Sequence, residues 1–375
     1  MNLFCKRPVG ADFKVWKLAL WLVSSFLLAG CQAFVTPIPQ PPALQLPSVS
    51  TADPDLLGTL VPAGELAGPQ TATPVPELIL SSQRYTSPQN IFTLSPPAGW
   101  TLENSEENIR FSDPDGNSWI SLQVINTGYA YDQDAFTELV SAREANTFAG
   151  FSEYSELERT IQAADATAWV TKTVLLDDKE KRVLSFYRQD GSTVLTMDCW
   201  TDVGAFTAYL GGLEDIIDSV QFDGQAAAAA TTLSTKLFQD EQYALAFETP
   251  VYWTYKHLAG DNTSSDTFLA PDQHAAVQSL VYEDVDEVDK LTAGEFTLVL
   301  LREYYNKDIV VTKDSILADG SERLDWFSPA GDYHGSTVFR IRGNLIWLAT
   351  VLVEDAYQAT YQDLLERILA SAAFD

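Results

Sequence analysis

The same short motifs occur in the same order in residues 84–223 and 236–375, and this repeat constrains the fold more than any other feature. We call the two parts the first and the second module. Because few residues are identical, a chance alignment is the alternative to two modules of one fold. The matched motifs are Pro97-Ala98-Gly99-Trp100 with Pro250-Val251-Tyr252-Trp253, Phe111-Ser112-Asp113-Pro114-Asp115 with Phe268-Leu269-Ala270-Pro271-Asp272, Arg143-Glu144 with Arg302-Glu303, Gly191 with Gly343, and 218–222 with 370–374.

The residue pattern within each module predicts an antiparallel sheet with helices. Asp190-Gly191 and Gly343-Asn344 predict hairpin turns, because glycine accepts the positive φ that such turns require. Residues 345–353 are continuously apolar, which is typical of a central strand buried on both faces. The predicted class is α+β, with two tandem α/β/α sandwich domains, each an antiparallel sheet covered by helices. In the first module we expect strands at 91–94, 119–125, 166–176, 182–188 and 193–199, and helices at 135–148 and 203–220.

The last helix of each module has one apolar face. In the first module Asp202 is placed as its N-cap. Helical spacing puts a set of large apolar side chains on one side, and the second module repeats the pattern after Asp355. The apolar sets are Phe206, Leu210, Leu213, Ile216 and Ile217 in the first module, and Tyr361, Leu364, Leu365, Ile368 and Leu369 in the second.

Four motifs of the first module resemble the PsbP-like superfamily, which includes the extrinsic P subunit of photosystem II and bacterial DcrB-like lipoproteins. They are Tyr-x-Ser-Pro at 85–88, Phe-x-Leu-x-x-Pro-x-Gly-Trp at 92–100, Phe-x-Asp-Pro-Asp-Gly at 111–116 and Ser-x-x-Phe at 219–222. The second module is similar more loosely, since Val251-Tyr252 replaces the Ala-Gly before the tryptophan. The resemblance implies an α/β/α sandwich and a mostly non-catalytic, accessory or assembly role.

Residues 1–30 have the pattern of a bacterial signal peptide. Basic residues from Lys6 to Lys17 precede the apolar run 18–29, which is short for a membrane-spanning helix. The run ends in Leu28-Ala29-Gly30-Cys31, which resembles a lipobox and predicts lipidation of Cys31. Two acyl chains on a diacylglyceryl group make a stable membrane anchor.

Residues 31–83 are predicted to be a disordered tether after the lipidated cysteine. They contain ten prolines and no Lys or Arg, so they cannot pack as a domain. Residues 224–235, rich in Ala and Thr, are predicted to link the modules. We expect the protein in a bacterial cell envelope, anchored to the outer face of the cell membrane or to the outer membrane. Gln32, rather than Asp, permits the second location.

The net charge of the chain restricts the classes of molecule that it can bind. Acidic residues outnumber basic ones by 52 to 23, giving a net charge of −29. Nucleic acid is therefore an improbable partner, because binding its phosphates requires a basic surface. We expect contact with the membrane through the lipid anchor and a protein partner that the sequence does not identify.

No motif of a common enzyme, metal site or cofactor site is present in the sequence, so we expect no catalytic residue, cofactor or metal. Asp113 and Asp115 suit a β-turn better than a calcium loop, and the acidic run around Asp286 suits a solvated loop. Three histidines, His257, His274 and His334, are expected to be ordinary surface or turn residues. Cys199, the cysteine left after processing and lipidation, is expected in the core. Trp100 and Trp253 suit core packing better than a ligand pocket.

Three functions remain open from the sequence. The first is a membrane-anchored lipoprotein with two non-catalytic modules that act as an accessory or protein-interaction protein. The alternative is a cell-surface binding protein for a small ligand or a divalent cation, favoured if a cleft with convergent polar groups exists. The third is an enzyme whose motif is not recognised, since 52 acidic residues make any pair of carboxylates uninformative.

Overall fold

The computed structural model describes residues 77–104, 109–148, 150–240, 245–288 and 292–374. The predicted signal peptide, the lipobox residues Leu28, Ala29 and Gly30, the lipidated Cys31 and the tether up to residue 76 lie outside the described residues. Within those residues, no helix has the length and apolar character needed to cross a membrane.

The first module is built on a seven-stranded antiparallel sheet. Its central strand β9 is almost wholly buried, since both faces of the sheet are covered. From edge to edge the strands are β3 (Thr101–Asn104), β4 (Ile109–Ser112), β5 (Trp119–Asn126), β9 (Thr193–Asp202), β8 (Lys179–Asp190), β7 (Thr167–Leu176) and β6 (Tyr154–Gln162).

The second module has a seven-stranded antiparallel sheet with the same order of strands along the chain. The continuously apolar stretch of the sequence is its central strand β19. From edge to edge the strands are β13 (Thr254–Ala259), β14 (Thr263–Leu269), β15 (Ala275–Glu283), β19 (Leu345–Glu354), β18 (Tyr333–Arg342), β17 (Glu322–Ser328) and β16 (Val310–Ile316).

Helices and a small sheet cover the two faces of each large sheet, which confirms the predicted α+β class with antiparallel sheets. Helix α1 (Gln133–Phe148) covers one face of the first sheet, and α2 (Val203–Ser219) covers the other together with β1 (Tyr85–Thr86), β2 (Phe92–Leu94) and β10 (Gln221–Phe222). The second module has the matching set: α4 (Ala293–Tyr304), α5 (Gln358–Ala370), β11 (Thr235–Asp240), β12 (Leu245–Pro250) and β20 (Ala373–Phe374).

Local signals in the sequence explain the tight turns. Gly191 and Gly343, in the β8–β9 and β18–β19 hairpins, have φ of +58° and +66°. Asp202 lies at the N-cap position of α2, but its carboxylate does not cap the helix. It accepts a hydrogen bond from Lys181 Nζ at 2.5 Å, because the neighbouring strand brings that ammonium to the sheet end. Asp355 likewise starts a short 3₁₀ turn before α5.

The modules are joined by a packed helix, α3 (Gly224–Ala230), and by a shared core. The backbone N–H of Gly224 donates to Asp190 Oδ2 at 2.9 Å, and Asn126 Nδ2 donates to the Thr231 carbonyl at 3.1 Å. One hydrophobic cluster includes Tyr129 of the first module and Trp253 of the second. Burial of this cluster across the junction favours a single body over two independent modules.

Candidate functional site

A network of charged and polar side chains is buried between α1 and the sheet of the first module. Each of its members is at most 6% exposed, so solvent does not reach the network. Helix α1 provides an adjacent basic and acidic residue, and strands β7, β8 and β9 provide the rest. The members are Arg143, Glu144, Lys172, Ser185, Tyr187 and Asp198.

The Arg143 guanidinium is the centre of one half of the network. It donates to both carboxylate oxygens of Asp198, at 3.2 and 2.7 Å, and to the Tyr187 hydroxyl at 3.0 Å. The Ser185 hydroxyl donates to the same carboxylate. A bidentate guanidinium–carboxylate pair of this kind fixes the orientation of both groups.

The second half of the network joins Lys172 to Glu144. The ammonium donates to the Glu144 carboxylate and, at 2.7 Å, to the Ser185 hydroxyl, while the Tyr187 hydroxyl donates to the other Glu144 oxygen. The Lys172 ammonium and both terminal nitrogens of Arg143 therefore meet acceptors inside the module, whereas Arg143 Nε is buried without a partner. The arrangement ties α1 to three strands, and its burial leaves no access for a substrate.

Burial changes the proton affinity of these groups. It lowers the pKa of Lys172 to about 8, although the Glu144 carboxylate opposes this change. Burial alone would raise the pKa of Asp198, but the Arg143 guanidinium outweighs it and holds that pKa below its usual value. Burial also raises the pKa of Tyr187.

The second module has neutral residues at the matching strand positions, and Arg302, matched with Arg143 in the sequence, donates to the Ile309 carbonyl instead. Counted from the hairpin glycine and along the strand ladders, Thr350 matches Asp198, Thr337 matches Ser185, and Trp326 takes the place of the buried lysine. The Thr337 hydroxyl lies 3.0 Å from the Thr350 hydroxyl and accepts from Trp326 Nε1 at 3.0 Å. The same strand frame therefore accommodates either an ionic or a neutral polar centre.

Gly335 makes room for the large side chain of the neutral centre. It is the strand partner of Trp326, and a Cβ built on it would lie 2.3 Å from the indole ring. The first module has Val183 at this position, opposite Lys172. The two differences between the modules, Gly335 for Val183 and Trp326 for Lys172, therefore depend on each other, because the indole needs the space that the glycine leaves.

All three histidines are bound to carboxylates, which the sequence analysis did not predict. The Nδ1 atoms of His257, His274 and His334 lie 2.8, 2.8 and 2.7 Å from the carboxylate oxygens of Asp266, Glu354 and Asp355 respectively. The partners come from other elements, two strands and the 3₁₀ turn at Asp355, so no local spacing signals them. Among the described residues, no three His, Cys, Asp or Glu side chains are grouped to hold a metal ion.

A buried tyrosine pair crosses the junction between the modules. The Tyr361 hydroxyl on α5 contacts the Tyr129 hydroxyl of the first module and lies 2.7 Å from both carboxylate oxygens of Asp272. Burial raises the pKa of both tyrosines, which keeps the hydroxyls protonated as donors. The Tyr361–Tyr129 contact adds one directional bond between the modules to the shared apolar core.

Each large sheet has one edge strand with a β-bulge and one without. The register of β6 shifts between Glu156 and Glu158, and that of β16 shifts between Val311 and Lys313. Bulges of this kind obstruct the addition of a further strand. Strand β13 pairs with β14 without a shift, and all six of its residues are exposed. Among the described residues, no strand pairs with the outer side of β13.

Strand β13 has large apolar side chains on both faces. Tyr255 is 51% exposed and Leu258 is 49% exposed, and their spacing puts them on opposite faces of the strand. The Tyr255 hydroxyl donates to the buried Asp266 carboxylate at 2.7 Å, and burial together with this bond raises the pKa of Tyr255 to about 12. Strand β13 is therefore held on its inner side by its pairing with β14 and by the Tyr255–Asp266 bond, while its outer edge is open to pairing.

The remaining residues singled out from the sequence lie in separate places. Asp113 accepts from the Asn117 backbone N–H at 2.8 Å within a turn, and Asp286 is exposed on a loop. Cys199 is buried in β9, where burial raises the pKa of its thiol. Trp253 is 1% exposed in the core. Trp100 is half-buried and lies against Tyr209, with ring centroids 6.4 Å apart.

Comparisons with known proteins give likeness in fold at low sequence identity. No family model matches the chain, and no curated protein matches it either. Among solved structures, the cyanobacterial PsbP of Synechocystis is 13% identical and covers 43% of this chain and all of its own, with a TM-score of 0.32. It belongs to the family whose motifs the first module resembles.

Two further solved structures share part of the fold. The Ran-binding protein Mog1p of Saccharomyces cerevisiae is 9% identical and covers 40% of this chain and 99% of its own, with a TM-score of 0.31. The T6SS immunity protein TplEi of Pseudomonas aeruginosa is 11% identical and covers 74% of this chain and 97% of its own, with a TM-score of 0.19. At these values the likeness says nothing about what this chain binds.

Proposed function

We propose that the chain is a membrane-anchored lipoprotein with two copies of one PsbP-like module, which acts as a non-catalytic accessory protein by binding another protein at strand β13. The observation that carries the protein-binding role is the regular, fully exposed edge of β13 with Tyr255 and Leu258 on its two faces. Backbone groups of such an edge give affinity, and pockets beside alternate side chains give specificity.

The charge of the chain favours a different protein over a second copy. Two chains of net charge −29 repel each other at low salt, whereas an extended segment with Lys or Arg is attracted. We therefore assign the β13 edge to an extended, basic segment of a partner. The bulged edges β6 and β16 are geometrically unsuited to the same pairing.

The anchor proposal rests on the leader and lipobox, and on how the chain enters the first module. The end of the predicted tether, residues 77–83, packs on that module instead of being disordered: Ser81 N donates to the Pro96 carbonyl at 2.8 Å, and Leu78 packs on Gly212 of α2. A pull on the tether therefore acts on the first module, while β13 belongs to the second.

The binding test uses two matched substitutions at exposed apolar residues. Leu258→Lys places a charge on the regular edge, whereas Ile316→Lys places it at the end of the bulged β16 edge, where Ile316 is 78% exposed. The full chain, crosslinked in its native membrane and purified, should yield a partner with wild type and Ile316→Lys and lose it with Leu258→Lys. Equal capture by both variants, or no captured partner with wild type, would refute the assignment.

The anchor is tested separately. Intact-mass analysis of the membrane fraction should show a chain that starts at Cys31 and has acyl additions. Cys31→Ser should move the protein out of the membrane fraction without changing its unfolding midpoint. A Cys31→Ser protein that stays tightly bound to membrane would disprove lipid anchoring and leave the β13 assignment unaffected.

A further inference from the structure

A groove of about 250 Å³ opens on the α5 side of the second module. Its polar wall consists of side chains from β16, β17, β18 and α5, and its floor includes the buried Leu365 and Val351. The polar groups that line it include Thr312, Arg323, Ser336, Gln358 and Gln362, together with three ionisable side chains, Asp325, His334 and Glu366.

At four of the matching positions the first module has apolar side chains in place of polar ones. Counted from the hairpin glycines and along the ladders, Trp169 matches Arg323, Leu184 matches Ser336, Phe206 matches Gln358 and Leu210 matches Gln362. All four apolar residues belong to the core cluster beneath α2 or pack against it. The positions of Asp325, His334 and Glu366 have Thr171, Arg182 and Glu214 in the first module.

The key contrast between the modules is that apolar side chains fill the space at these four positions in the first module, whereas polar side chains leave a groove there in the second. The fold is stable with an apolar filling there, as the first module demonstrates. Polar residues at such positions give up about 25 cal/mol of hydrophobic stabilisation for each Å² of apolar surface not buried. We expect four neighbouring positions to lose that stabilisation where a concave polar surface binds a ligand.

Three of the polar groups of the groove are held in fixed orientations, whereas the two glutamines are exposed. Arg323 Nε donates to Asp325 Oδ1 at 2.7 Å, and its two terminal nitrogens donate to the Glu366 carboxylate at 2.7 and 2.6 Å. The Ser336 hydroxyl donates to Asp325 Oδ1 at 2.7 Å. Thr312, the extra residue of the β16 bulge, donates from its hydroxyl to the Asp325 carbonyl at 2.9 Å.

We propose that this groove binds a neutral polyhydroxyl ligand of the size of one sugar ring. The volume of about 250 Å³ lies just below the range of small-molecule sites, about 300–1,000 Å³, so the ligand is small. The two glutamine amides each offer a donor and an acceptor, which hydroxyl groups can use in pairs. The apolar floor suits the C–H face of a sugar ring.

The charges of the groove favour a neutral ligand. Arg323 is already paired with two carboxylates, and the Glu366 bonds together with Asp325 raise the pKa of its guanidinium further. An anion would face the two acidic groups, and a cation would have to compete with Arg323 for them. Hydroxyl groups can bind without breaking either ion pair.

The test measures sugar binding to the full chain in a non-glycosidic detergent by saturation-transfer NMR. The probes are glucose, galactose and N-acetylglucosamine, with spermidine and glucose 6-phosphate as charged comparisons. Gln358→Phe combined with Gln362→Leu restores the residues of the first module and should fill the groove. Gln239→Leu, at an exposed glutamine on β11, is the matched control.

We expect saturable binding of at least one neutral sugar with millimolar affinity, lost in the filled variant and unchanged in the control. Gln362→Ala, which removes one amide without filling the groove, should weaken binding about tenfold and keeps the test valid if the filled variant does not fold. The proposal is overturned if none of the neutral sugars binds, if a charged probe binds more tightly, or if binding is unchanged by the groove variants. None of these outcomes bears on the β13 edge.

Discussion

Replacing Asp198 with threonine, the residue at the matching position of the second module, tests whether the buried network works as a set of compensated charges. The change removes the carboxylate that accepts two hydrogen bonds from Arg143. The guanidinium is 3% exposed, so water cannot replace the lost acceptor. Only the Tyr187 hydroxyl would remain as its hydrogen-bond partner in the network.

Breaking a buried ion pair from one side costs about 3–5 kcal/mol of unfolding free energy, because an uncompensated charge stays buried. Removing both partners costs much less, since the desolvation penalty disappears with the charge. We therefore expect Asp198→Thr alone to be less stable than Arg143→Met combined with Asp198→Thr. In the neutral centre, Thr350→Val should cost only about 1 kcal/mol, the net value of one hydrogen bond.

Urea unfolding followed by tryptophan fluorescence and far-ultraviolet circular dichroism measures these differences. With a slope of about 3 kcal/mol per M, the single substitution should lower the midpoint by about 1–1.7 M. Coincidence of the two signals shows whether the modules unfold together. A loss below about 1 kcal/mol for Asp198→Thr, or a double variant less stable than the single one, would refute the charge-compensation argument.

Three further outcomes follow from the structure. Burial lowers the folded-state pKa of Lys172 from 10.5 to about 8, so the unfolded chain binds more protons between these values and stability relative to Lys172→Met should rise from about pH 8 to pH 10.5; a flat difference in urea midpoints would contradict this. Gly212→Ala would place a Cβ 2.6 Å from the Leu78 Cβ and should expose the segment around Leu78 to protease. Gly211→Ala, with open space around its Cβ, should instead stabilise α2 by up to about 1 kcal/mol, and equal cleavage of both variants would count against the packing of Leu78 on α2. Tyr361→Phe removes the hydrogen bond to Tyr129 across the module junction and those to Asp272 within the second module, and should cost about 1–3 kcal/mol in calorimetry; an unchanged unfolding temperature would show that the apolar core alone joins the modules.

The sequence alone was sufficient for the parts of the fold that depend on neighbouring residues. The glycines of the two hairpins predicted turns because positive φ is a property of single residues, and both have it. The apolar run 345–353 predicted a central strand because burial on both faces leaves no room for alternation, and β19 is central. The helix predicted at 203–220 followed from its 3.6-residue apolar period, and this helix and the one predicted at 135–148 agree with α2 and α1 to within two residues at each end.

The candidate sites could not be predicted in the same way, because their residues meet only through strand register and helix placement. Arg143 and Glu144 were recognised as a matched motif, but their partners lie 28 to 55 residues away along the chain. The histidines were expected to be ordinary surface or turn residues, since the carboxylates that bind them come from other elements. Asp202 shows the same limit: its position favoured a helix cap, and a strand neighbour, Lys181, took the carboxylate instead.

The sequence by itself determined the two sheets, their helices and their tight turns, because these depend on backbone preference and on the period of apolar residues. Only the tertiary structure decided which interior is ionic, which is neutral and which is left open as a groove. A one-residue slip in strand register would send every side chain of a strand to the other face. The register therefore determines that Trp169 fills one module while Arg323 lines the groove of the other, and no local pattern encodes that pairing.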